Sequence, residues 1–131
     1  MLHRSYVPAK LRTLIMAAIV ATMASAAQAD DAKRGQQLAE KHCARCHVVG
    51  DFNPTGGISS TPSFQLLVRR RPDWRDRYLT FYARRPHPAF VLMEGFDRLM
   101  PELPTNAAPV KLTLDDVDAL VAFAATLKTA E

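Results

Sequence analysis

The 131-residue chain has only two cysteines, and both lie in one short cluster, Cys43 and Cys46. Disulfides joining distant segments are therefore excluded, and something else must hold the domain together. Internal repeats and low-complexity tracts are absent, which excludes solenoids and arrays. No stretch alternates apolar and polar residues well enough to predict a strand, so the expected fold class is all-α.

Acids are missing from the first 29 residues. That segment carries Arg4, Lys10 and Arg12, then a mostly apolar run from Leu14 to Ala27, then the small-x-small sequence Ala27-Gln28-Ala29. The pattern predicts a secretory signal over 1–29, cleaved before Asp30, and a mature domain over 30–131 exported to the periplasm. The alternative is a retained anchor. Thr22, Ser25 and Gln28 interrupt the run, however, and leave it short of the roughly 20 residues a span needs. Residues 1–29 contain no twin-arginine pair.

The leader holds three of the 17 basic residues and none of the 13 acids, which leaves residues 30–131 with a charge of +1. The basic character of the whole chain is thus largely that of the discarded segment. It is no sign of nucleic-acid binding. About 100 residues can fold alone, but with a thin stability margin that a large buried cofactor would widen.

Helical signals dominate residues 30–131. Asp30 or Asp31 can cap a first helix through Lys41, with Leu38 and Ala39 on its apolar side. Gly35 is a poor helix former there and suggests close contact with another helix. Residues 50–61 turn to Gly, Pro, Asn, Ser and Thr, a loop composition. Pro62 precedes a short apolar helix with Phe64, Leu66, Leu67 and Val68.

Asp73 is expected to cap another helix, bearing Trp74, Tyr78, Phe81 and Tyr82 on one face. Five prolines over 86–112 predict irregular chain, with one helical turn around Phe90 to Met93. Thr113-Leu114-Asp115-Asp116 reads as a capping box with Asp in place of Glu. The closing helix places Val117, Leu120, Val121, Ala124 and Leu127 at helical spacing, with Phe123 beside that face.

The chemistry concentrates in Cys43-Ala44-Arg45-Cys46-His47. Two thiols separated by two residues, with histidine next, are the attachment pattern of c-type haem. The thiols reach two vinyl groups on one porphyrin edge as thioethers, and the imidazole then lies under the ring, where it can bind iron. A thioredoxin-like dithiol needs a preceding strand, which is not predicted. A structural zinc needs four ligands, and only His42, His47 and His87 accompany the thiols nearby.

The order Gly35-x-x-Leu38, Cys43-x-x-Cys46-His47, a Gly/Pro loop, Met100-Pro101 and Leu120-x-x-Phe123 resembles the class I monohaem cytochrome c family across nearly all of 30–131. The resemblance implies a small helical bundle around one covalently bound haem c. Its first and last helices would cross near Gly35 on one side and Leu120 and Phe123 on the other. It also implies a proline carbonyl bonded to the proximal His47; Pro62 fits that role best, with Pro54 as the alternative.

For the sixth iron ligand the available residues are Met93, Met100, His42 and His87. His42 adjoins Cys43 and belongs to the His47 side of the ring. The family's Met-Pro context points to Met100, held by a loop stiffened by Pro101 and Pro104, with Met93 as the alternative. His87, between two prolines, is expected at the surface. His/Met ligation would leave no open position and would raise the potential.

The implied function is a one-electron carrier between periplasmic redox partners, not an enzyme. A dehydrogenase, an oxidase or a larger cytochrome complex would suit, met by transient docking of a monomer. The alternatives are a haem subunit of a dehydrogenase complex, or a gas- or peroxide-binding protein with a labile or open sixth position. Seven arginines over 69–85 face Asp73 and Asp76. The plain reading is a solvated face; the sharper one gives some of them, with the Trp74 N–H, the haem propionates or a docking patch.

Overall fold

The computed structural model describes residues 9–102 and 108–129. The chain divides into two compact units, Met1–Asp30 and Asp31–Glu131, a boundary one residue from the expected cleavage point. In the first unit the described residues are helical. Arg4, on which the signal reading partly rests, lies outside the described residues, as does Pro104. Among the described residues no helix is long and apolar enough to cross a membrane.

Helix α1 runs Ala9–His42, so Asp30 and Asp31 lie inside a helix rather than at its start. The alanine-rich stretch before them favours helix and leaves nothing to end it there. After α1 come a turn at the two cysteines, a long loop, α2 (Phe64–Arg70), α3 (Trp74–Leu79) and two short 3₁₀ turns, Phe81–Ala83 and His87–Ala89. Strands β1 (Val91–Met93) and β2 (Val110–Leu112) follow, and α4 (Leu114–Thr129) closes the chain.

The two strands correct the all-helical expectation in detail, since Phe90 to Met93 was expected as a helical turn. They pair in parallel with Val91 opposite Val110 and Met93 opposite Leu112. Three residues are too few to show alternation, and their partner lies 19 positions away in sequence, so nothing local announces them. The fold remains mostly helical, as expected.

Asp73 differs too. Its backbone stands before α3, but its side chain makes no cap bond. The carboxylate instead accepts from Arg71 Nε at 3.0 Å and Arg77 Nε at 2.9 Å, and charge-assisted bonds to guanidinium outcompete a backbone N–H. The Arg71 bond, helped by Arg77, holds the Asp73 carboxyl below its usual range. By contrast Ser63 caps α2 through Leu66 N at 3.1 Å.

Thr113 and Asp116 form the reciprocal box at α4: Thr113 N donates to Asp116 Oδ2 at 2.9 Å and Asp116 N donates to Thr113 Oγ1 at 3.1 Å. The start of α4 is tied further by Arg34, whose guanidinium reaches Asp116 at 2.6 Å and the Asp115 carbonyl at 2.7 Å.

The core of the second unit gathers Ala39 of α1, Phe64 and Val68 of α2, Tyr78 of α3 and the inner face of α4. Val117, Leu120, Val121 and Ala124 are all buried, as the helical spacing predicts. Gly35 meets α4 with no room for a side chain: a methyl there would overlap the Ala119 carbonyl. Residues 35 and 119–120 are thus the point of closest approach of the two helices.

Candidate haem site

A cavity of about 410 Å³ opens in the second unit, within the size range of cofactor and ligand sites. One wall is the segment after α1. Cys43, Cys46 and His47 all line it, with His42 beside them. The backbone folds back as α1 ends, His47 N donating to Cys43 O at 2.9 Å and Ile58 N donating to Cys46 O at 2.9 Å. Both thiols are free and half-buried.

Three features hold this wall. His47 Nδ1 donates to the Pro62 carbonyl at 2.7 Å. A carbonyl can only accept, so Nδ1 carries a proton. In the neutral tautomer that this selects, Nε2 keeps its lone pair, the state a metal-binding imidazole requires. Asn53 clamps the loop from behind, its Nδ2 donating to Ala44 O and His47 O, each at 2.9 Å, while its Oδ1 accepts from Val49 N at 2.8 Å. Gly57 has φ +76 with its Cα against the His47 and Cys46 backbone, so a side chain would be both strained and crowded.

Asn53 and Gly57 were not among the residues expected to matter. The usable signal is that Asn and Gly in a loop directly after the motif are residue types that bond or bend backbone.

Burial, with Cys46 adding to it, pushes the Cys43 thiol up to about 12. A thiol–disulfide nucleophile needs the opposite shift. Cys43 is therefore poorly suited to dithiol exchange.

The facing wall is built from α3, the chain before β1, and the two strands. Phe81, His87, Phe90, Val91, Val110 and Leu112 line it. His87 is half-buried, not the surface residue expected. Its Nδ1 donates to the Arg84 carbonyl at 3.0 Å, and Phe81 meets its ring edge-on with centroids 5.2 Å apart. Burial lowers its pKa, the Arg84 bond opposes that, and His47 pushes the same way as burial.

The other expected site residues are placed elsewhere. Met100 is half-buried but does not line the cavity; it belongs to the excursion between β1 and β2, whose ends are drawn together by strand pairing and by Glu94 N donating to Leu112 O at 2.8 Å. Met93 is buried in β1 and packs into the core, not on the cavity wall. Trp74 packs edge-on against Tyr78, with centroids 6.1 Å apart, and is also absent from the wall.

Arginines do reach the cavity: Arg77, Arg84 and Arg85 line its edge. Arg84 pairs with Asp76 at 2.8 Å, and Arg77 with Asp73 at 2.9 Å.

An apolar cavity with two thiols and an imidazole on one wall and guanidinium groups at its edge matches the parts of a haem: porphyrin faces, vinyls, iron and propionates. The residues fit the group. Comparisons with known proteins agree. The family model described as Cytochrome c matches residues 32–128. Over 78 residues the chain is 40% identical to cytochrome c-552 of Bradyrhizobium diazoefficiens, covering 60% of this chain and 73% of that protein. No solved structure matches the chain. With its Cys43-x-x-Cys46-His47 motif, this chain belongs to the cytochrome c family, a haem-based electron carrier whose cofactor is covalently bound haem c.

Proposed function

We propose that residues 30–131 form an exported, periplasmic one-electron carrier with a single haem on the thioethers of Cys43 and Cys46 and with His47 as the proximal ligand. The observation that carries this reading is the Nδ1 bond from His47 to Pro62 at 2.7 Å, made on the same wall as both thiols. That bond fixes the tautomer, orients the ring and makes Nε2 more basic.

Bound haem supplies a ferric–ferrous couple that exchanges one electron. The residues of this chain do the rest. Cys43 and Cys46 fix the ring edge, Asn53 and Gly57 keep His47 from moving between oxidation states, and Phe64 meets the His47 ring edge-on at 5.5 Å. The apolar wall excludes water. Arg77, Arg84 and Arg85, in place of Trp74, would hold the propionates.

Met100 keeps the support of its Met-Pro sequence context as a sixth ligand, but its position off the cavity wall offers none. Partners would be redox proteins met transiently. The arginine-bearing edge suits an acidic one, since a charged rim orients encounters even at small net charge.

Spectroelectrochemical titration tests the function. A reversible wave fitting one electron, with ferrous protein slow to bind carbon monoxide, is expected. Immediate carbon monoxide binding with poor reversibility would favour a gas-binding haem protein instead. Rates with an acidic partner should fall as salt is raised.

A further inference from the structure

We propose that His87 is the sixth ligand, so that the iron is held by two histidines. This rests on the haem reading above and extends it to the opposite face.

The ring centroids of His47 and His87 are 6.1 Å apart and their planes are parallel to within 6°. An eclipsed face-to-face pair would bring the centroids to about 3.5–4 Å and an offset stack to about 4.5–7 Å, so it is the hydrogen bonding of the two rings that separates a ligand pair from a stack. Imidazole–metal bonds of roughly 2 Å on each side, plus the distance from nitrogen to ring centre, put two such centres on the order of 6 Å apart, which matches the observed separation.

The hydrogen bonding repeats on both sides. His47 Nδ1 donates to Pro62 O, and His87 Nδ1 donates to Arg84 O. In its neutral form each ring then has Nε2 free to bind a metal, and each is oriented by a backbone carbonyl, the usual companion of a ligating histidine.

His87 is also held in place. Prolines 86 and 88 flank it, it opens a 3₁₀ turn, and Phe81 and Phe90 pack on its ring at 5.2 and 5.9 Å. Such restraint lowers the entropy lost on binding. Neither methionine competes from the cavity wall. His42 lines the wall but directly precedes Cys43, on the side His47 occupies.

The assignment changes what the protein does. Methionine raises the potential of a haem relative to a second imidazole, so this carrier would sit at lower potential than a His/Met cytochrome. Its position in an electron-transfer sequence would be nearer the donor.

The test uses the full chain matured with haem, as wild type, His87→Ala, His87→Met and Met100→Ala. Wild type and Met100→Ala should show the same low-spin ferric signature of two nitrogen ligands by electron paramagnetic resonance and near-infrared magnetic circular dichroism, without a methionine–ferric charge-transfer band. His87→Ala should lose the low-spin signature, bind carbon monoxide at least tenfold faster and regain six-coordination with added imidazole. His87→Met should gain the band and a higher potential.

A charge-transfer band in wild type that Met100→Ala removes would overturn the proposal, whether or not the His87 variants fold. So would an unchanged low-spin spectrum in His87→Ala, which would mean that His87 only packs against His47. Absence of covalent haem from all four proteins is a different failure, that of the haem reading itself.

Discussion

The two walls of the cavity are made in different ways. The His47 wall is nearly continuous chain: Cys43 to Phe64 folds on itself, tied by Asn53 and by the Pro62 carbonyl. The His87 wall joins α3, a proline-flanked turn and β1 to β2, a remote segment brought in where Val91 pairs with Val110. A wall of local contacts writes its chemistry into residue spacing. A wall of distant contacts writes it into pairing, which spacing does not show.

Breaking the helix crossing behind both walls should have the largest effect. Gly35→Val drives a branched side chain into the α4 backbone at Ala119, and overpacking of this kind should cost about 3 kcal/mol. Denaturant unfolding of the haem-loaded protein measures it. An unchanged midpoint would mean that α1 and α4 do not meet there.

Asn53→Ala aims at the local wall alone. It leaves Ala44 O, His47 O and Val49 N without their partner, at about 2 kcal/mol. The same unfolding experiment reads it, and the yield of haem-loaded protein should drop as well. Stability equal to wild type would show that the clamp is dispensable.

Val91→Ala aims at the distant wall. Removing its buried methyl groups should cost about 1.5 kcal/mol. Because the lost contacts lie on the His87 side, carbon monoxide binding should quicken more than it does in Asn53→Ala. Equal ligand-binding rates in the two variants would erase the distinction between the walls.

Asp73→Asn should matter least, since the pair it breaks is exposed. Its sign with pH is fixed. The folded carboxyl is depressed by Arg71 and Arg77, so its contribution is present above the ordinary carboxylate range and is lost as pH falls through the folded value. The small difference between wild type and variant should therefore shrink on acidification. A difference that grows in acid would contradict this.

Much of the helical frame was legible in the residues. Gly35 announced a close approach, Thr113-x-x-Asp116 announced the start of α4, and the spacing from Val117 to Ala124 announced its buried face. Cys43, Cys46 and His47 announced the cofactor, because their order alone fixes reach to one porphyrin edge.

What stayed hidden shares one property: the partner is remote or unexpected. β1 and β2 are too short to show a period. Asp73 looks like a cap until two arginines compete for it. His87 looks like a surface residue because prolines flank it, yet the same prolines fix the turn that aims it inward. Met100 carries a familiar Met-Pro context, but the excursion that holds it leaves it off the cavity wall.

The central claim is that Cys43 and Cys46 carry porphyrin by thioether bonds. Intact-mass measurement under denaturing conditions, on chain matured in a host competent for c-type haem, tests it most directly. The account predicts one haem added to the polypeptide mass and retained after unfolding, and none on a Cys43→Ala, Cys46→Ala chain. Wild-type chain at the bare polypeptide mass would contradict it.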